Sequence, residues 1–199
     1  MASPPTPRER LLEHRAGVLE ADGAPHPVQF IIDGRDGTLV LRGGREMFQA
    51  DEVVLWLPDD GFESLQVLVR LDELDPPEGF LEDRHLAYHG ESTATRWARA
   101  TPTEARDPDG VYDGGDMLAP NRLRAIEPKL CKLLNSDHDK LRLLVTRTLH
   151  TPIADPLIVG VDELGFDIRA GVGIVRAKWQ QELDPDTAID EIAARLDQP

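Results

Sequence analysis

An α+β fold, in which a β-barrel or sheet carries a helical appendage, is predicted for this 199-residue chain by three observations. Strand-like patterns dominate from Val28 to Tyr112, glycine is absent from Arg122 to His150 where apolar residues recur at helical spacing, and the chain then returns to strands and closes on a helix. Strands that come first and helices that follow argue against a doubly wound sheet, in which the two alternate.

Pro7 to Ala21 carries Leu11, Leu12, Arg15, Val18 and Leu19 at helical spacing, so the sequence predicts a helix with Thr6 as N-cap and Pro7 at its first position. The seven Pro-rich residues that begin the chain are predicted disordered. Val28 to Ile32, the turn Asp33 to Gly37, and Thr38 to Leu41 read as a hairpin, followed by strands over Glu52 to Leu57 and Leu65 to Leu71 with Pro58 to Gly61 as their turn. Phe80, Leu81, Arg84, His85 and Tyr88 predict a helix over Pro77 to His89 that stops at Gly90. Thr95 to Ala100 and Thr103 to Arg106 read as strand, turning through Asp107 to Gly110 into Val111 and Tyr112. Two helices follow within Arg122 to His150, the second capped by Ser136 or Asp137. Strands over Leu157 to Asp162, Phe166 to Ala170 and Ile174 to Trp179, then a helix over Asp186 to Leu196, complete the chain.

Thirty-seven acidic against 22 basic side chains give a net charge of −15, which repels nucleic-acid phosphates and anionic membrane surfaces; neither is an expected partner. The longest apolar runs, Val53 to Leu57 and Leu157 to Val161, are strand-sized, far short of the ~20 residues of a membrane helix. One cysteine, Cys131, permits neither an intrachain disulfide nor a CxxC zinc framework, and with no signal-like apolar stretch near Met1 the expectation is a cytoplasmic protein. Gly-x-Ser-x-Gly, His-Glu-x-x-His and P-loop patterns are absent, and Gly171-Val-Gly173 lacks the third glycine of a dinucleotide loop and reads as a turn. Trp56, Trp97 and Trp179 sit within strands, where packing explains them unless their edges line a ligand slot.

Histidines supply the candidate chemistry. His138, flanked by Asp137 and Asp139 at a helix start, is suited either to ligate a metal or to order the helix entry. His85 and His89, at i and i+4 on one helix face, have a spacing that binds one metal ion, although no third ligand follows in a zinc pattern.

Residues Leu130 to His138 together with Leu157 to Arg169 resemble the C-terminal domain of haem-utilisation proteins, in which an Asn-x-Asp-His helix entry precedes an Asp-x-x-Gly-Phe-Asp hairpin; Asn135, Asp137, His138, Asp162, Gly165, Phe166 and Asp167 occupy those positions. Upstream, the strand-rich region with the Arg84 to His89 helix resembles the split β-barrel that these proteins share with pyridoxamine-phosphate-oxidase-like flavoproteins. The resemblance implies an N-terminal tail and helix over 1–24, a split β-barrel over 25–118 and a smaller α+β domain over 119–199, paired as a homodimer. It implies a haem-binding protein, acting as carrier or in haem degradation, with two alternatives: a cofactor-free module that binds a protein partner, or an FMN-dependent oxidoreductase. Whether catalysis occurs stays open, and for the implied haem iron the axial candidates are His89, His138, His150, Cys131 and Tyr88. The implied cofactor-binding residues are His138, His89, His85 and Arg42, with His138 and His89 as metal ligands. The FMN option departs from its pattern, because only Arg35, Arg42 and Arg45 are near the phosphate-binding strands and no lysine precedes Lys129.

Overall fold

Main-chain pairing overrides helical periodicity at the first element. In the computed structural model, which describes residues 5–59, 61, 63–75, 77–91, 94, 96–171 and 173–198, helix α1 covers only Pro7–Leu12. The Thr6 cap and Pro7 start are as the sequence predicts: the Thr6 hydroxyl accepts from Glu9 N at 3.2 Å, and the Glu9 carboxylate accepts from Thr6 N at 2.7 Å. The helix does not reach Ala21, because Ala16–Ala21 form strand β1, hydrogen-bonded to a neighbour on both sides. Gly17 permits that double pairing: a Cβ there would lie 2.5 Å from Trp56 O. Arg15, buried in the connection, donates to Leu12 O at 2.9 Å and His14 O at 2.6 Å, satisfying carbonyls that the shortened helix leaves open.

The predicted hairpin is β2 (Ala24–Ile32) and β3 (Leu39–Gly43), and the next pair is β4 (Val53–Leu57) and β5 (Leu65–Leu74). Helix α2 (Gly79–His89) follows and ends at Gly90. Where the sequence suggests two short strands there is one, β6 (Arg96–Asp107), whose register against β5 shifts at Leu68/Val69, opposite the segment containing Pro102; Thr95 lies outside the described residues. Strand β7 (Gly110–Asp113) turns back on its end. The strand order is β3-β2-β1-β4-β5-β6-β7, and β3 also pairs with β6, closing an antiparallel barrel of six strands with β7 appended. Leu19, Phe30, Leu39, Leu41, Leu55, Val67, Ala98 and Ala100 fill its interior.

The chain divides into two compact units, Met1–Pro120 and Asn121–Pro199. In the second, α3 (Glu127–Leu134) and α4 (His138–Leu149) precede β8 (Leu157–Asp162), β9 (Gly165–Ala170), β10 (Gly173–Lys178) and α5 (Ala188–Leu196). Asp137 is the cap of α4, accepting from Asp139 N and Lys140 N. The sheet order is β10-β9-β8, which leaves β8 on an edge. Side chains cover that edge. Asn135 donates to Ile158 O and accepts from Ile158 N, both at 2.9 Å; the Glu127 carboxylate accepts from Val161 N, and Asn121 donates to Val161 O. Among the described residues, no helix is long and apolar enough to cross a membrane.

The remaining motif residues of this unit hold its hairpin. Asp162 accepts from Leu164 N and Gly165 N and from Arg176, whose buried guanidinium also reaches Asp167. Gly165 leaves room for β10, since a Cβ there would lie 2.3 Å from Ala177 O. Replacing Asn135 by Ala strips both partners from the Ile158 main chain. It is expected to destabilise the second unit by about 2 kcal/mol, read from the urea midpoint of Trp179 fluorescence. A loss under about 0.5 kcal/mol would show that water satisfies this edge instead.

Candidate functional site

Helix α2 lies against the outside of the barrel. Leu81, His85 and Tyr88, spaced four and three apart, form its buried face. Beneath them are Ile31, Val40 and Trp97, which alternate with interior residues and would otherwise be exposed apolar surface. Closure of the barrel sets the chemistry of this layer. In the β3–β6 register Arg42 is opposite Trp97, and its guanidinium lies 4.8 Å over the indole ring.

His85 is 2% exposed. Its imidazole packs edge-on against Trp97, ring centroids 5.1 Å apart, and lies 4.8 Å from the ring of His89. His89 Nε2 is 2.9 Å from Phe30 O, so it must carry the proton and donate. His85 bonds the Gln29 main chain, while its Nε2 is buried without a hydrogen-bond partner. Arg42 Nε, in the same layer, is also buried and unpartnered. Burial first, then electrostatic repulsion of a protonated ring by His89 and Arg42, push the His85 pKa down to about 4 against an opposing bond to Gln29. At neutral pH His85 is therefore an uncharged imidazole with a lone pair on Nε2 and no donor to meet it. Such a group can ligate a metal or accept a hydrogen bond, but is a poor general acid.

A charged clamp fixes the start of α2. Arg35 reaches both oxygens of Glu78 at 2.7 and 2.9 Å, pairs with the buried Asp33, and lies over the Phe80 ring at 4.8 Å. Arg99 shares Asp33.

Three of the residues singled out by sequence, His85, His89 and Arg42, thus belong to one layer of the first unit. His138 belongs to the second unit, where it is the first residue of α4, half-exposed, with Nε2 3.6 Å from Asp155 Oδ1. Of the other axial candidates, Tyr88 is buried with the Arg84 guanidinium over its ring, Cys131 is half-buried against the second core, and His150 is the exposed, left-handed C-cap of α4. Among the described residues, no group of three or more His, Cys, Asp or Glu side chains is placed to hold a metal ion. Gly171 and Gly173 flank the β9–β10 connection, with Val172 outside the described residues. In the sequence, packing explains Trp97 unless its edge lines a ligand slot; the strand register and ring geometry place it against both Arg42 and His85.

No protein-family model matches the chain, and no curated protein matches it. Its structure is similar to that of Atu2129 from Agrobacterium tumefaciens strain C58, a protein of unknown function, with TM-score 0.75 and 17% identity over 95% of this chain and 92% of the other. That likeness establishes the α+β fold. A haem-binding protein from Mycobacterium smegmatis, 18% identical with both chains fully covered, superposes with TM-score 0.43.

Titration of His85 links this site to stability. Its folded pKa, about 4, lies below the ordinary 6.5, so between these values the unfolded chain binds the proton and the folded chain does not. The His85 contribution to stability is expected to be lost as pH drops from about 6.5 to about 4 and to change no further below that. Burial also lowers the pKa of His14, with the same sign, so the comparison is with His85→Gln, whose urea midpoint should depend less on pH across that window. Identical pH profiles for the two proteins would show that His85 is accessible to protons in the native state.

Proposed function

We propose that this protein binds haem, as a carrier or in haem degradation, with the α2 histidines of the first unit as the iron-binding locus. The observation that carries this reading is the neutral, buried His85 with an unpaired Nε2, beside a second buried and unpaired polar atom, Arg42 Nε. Orphaned buried polar atoms are rare in native proteins, and two in one layer call for a group that satisfies them. A neutral imidazole is the form of histidine that ligates iron, and a guanidinium is the usual partner of a propionate.

These residues fit haem in chemical type. His85 or His89 would hold the iron and Arg42 a propionate, and the bound group would supply iron redox chemistry. Because His85 is buried, ligation requires α2 to lift from the barrel, so the Arg35–Glu78 clamp sets how readily the site opens. FMN fits poorly. Of the three arginines near its phosphate-binding strands, Arg35 already pairs with Asp33 and Glu78, which leaves Arg42 and Arg45 with no lysine beside them. The split-barrel superfamily suggested by the sequence, and the homodimer it implies, are part of the same proposal.

The second unit favours another reading. Asn135, Asp137, Asp162 and Asp167 are all engaged in holding its own strands and helices, as expected of a scaffold that presents a surface to a protein partner without a cofactor. Titration with hemin separates the two readings. A saturable one-to-one Soret shift is expected, abolished in His85→Ala, weakened in His89→Ala and unchanged in His138→Ala, each with a native circular dichroism spectrum. A shift lost only in His138→Ala would move the iron to the second unit, and no saturable shift in the unsubstituted protein would overturn haem binding in favour of the cofactor-free module.

A further inference from the structure

The outer face of β4, β5 and β6 carries a feature unrelated to the histidine layer. Trp56 on β4 is the register partner of Gln66 on β5, and Gln66 is the register partner of Arg106 on β6, so an indole, an amide and a guanidinium form one row across three adjacent strands. The row floors a groove of about 490 Å³, walled by Ser64, Asp107 and Pro108. That volume is within the range of small-molecule sites.

The polar groups of the groove are unequally satisfied. Asp107 is nearly fully buried, and its carboxylate accepts from the Arg10 guanidinium, the Tyr112 hydroxyl and the main-chain N–H groups of Asp109 and Gly110. Its charge is neutralised and its acceptor capacity largely used. Arg106 donates through Nε to the Gln66 amide oxygen, which fixes the plane of the guanidinium and leaves its terminal nitrogens for another partner. The indole N–H of Trp56 is buried and has no acceptor. The free guanidinium end of Arg106 next to the indole face, with the neighbouring acid already paired, defines what would bind: a planar ring to lie against the indole and an anionic group to accept from Arg106.

We propose that this groove is a binding site for an aromatic carboxylate. The site is independent of the haem reading and uses none of its residues. Both parts of the ligand matter. The carboxylate supplies an acceptor for Arg106, and the ring replaces water on the indole.

The probe is benzoate, titrated into the ¹⁵N-labelled full chain. The readout is the indole N–H resonance of Trp56, identified by its disappearance in Trp56→Phe, with those of Trp97 and Trp179 as internal references. Benzoate is expected to shift the Trp56 resonance saturably and leave the other two in place. Cyclohexanecarboxylate, with the charge but no π-face, and benzyl alcohol, with the ring but no charge, are each expected to bind several-fold more weakly. Arg106→Gln should weaken benzoate about tenfold, the loss of a charge-assisted contact, with the Trp97 and Trp179 resonances confirming a native fold. An unmoved Trp56 resonance at saturating probe, equal affinity in Arg106→Gln, or equal affinity for cyclohexanecarboxylate would each overturn the proposal.

Discussion

Pairing of β3 with β6 is the contact on which the arrangement of the first unit depends. Without it the seven strands would be an open sheet with β3 and β7 at its edges; with it the barrel interior is sealed and one stretch of outer surface, over β2, β3 and β6, becomes a continuous apolar seat. Helix α2 fills that seat. The same register sets Arg42 opposite Trp97 and so fixes what the helix histidines meet when they pack down. β6 can do this because it is twelve residues long: its first half pairs with β3 and its last part with β7, while its register shift bends the strand around the barrel.

The histidine layer shows how packing creates chemical character. On an isolated helix His85 and His89 would be ordinary imidazoles, protonated in part near neutrality. Seated on the barrel, each spends one ring nitrogen on the β2 main chain, and His85 is left with an unpaired lone pair in an apolar, positively biased environment. That is a costly state for a side chain whose function is packing alone, which is why the layer is the strongest site candidate in the first unit.

In the second unit the same accounting points the other way. The free edge of β8 is closed by Asn121, Glu127 and Asn135, and the Asp162 to Asp167 hairpin by its own turn and the buried Arg176. The motif that made this region recognisable is thus explained by satisfied main-chain groups and one buried ion cluster, with His138 the exception at the surface. A motif of this kind identifies a fold more securely than an activity.

Much of the architecture was legible in the sequence because it rests on local signals. The Thr6 and Asp137 caps, the Asp33 to Gly37 turn, the stop at Gly90, and the alternation in β4 and β5 depend on residues close in the chain. His85 and His89 stand out in the sequence by their i, i+4 spacing, whereas Arg42 enters only through the family resemblance. What only the tertiary structure decided are the features built from strands distant in sequence. Ala16 to Ala21 reads as the end of a helix until β2 and β4 claim its main chain from both sides. Trp97 and Trp56 read as packing until register places Arg42 over one and sets the other in a row with Gln66 and Arg106. Periodicity reports which face of an element is apolar, but not which element will cover it; that is settled by long-range hydrogen bonding and closure, which no local pattern encodes.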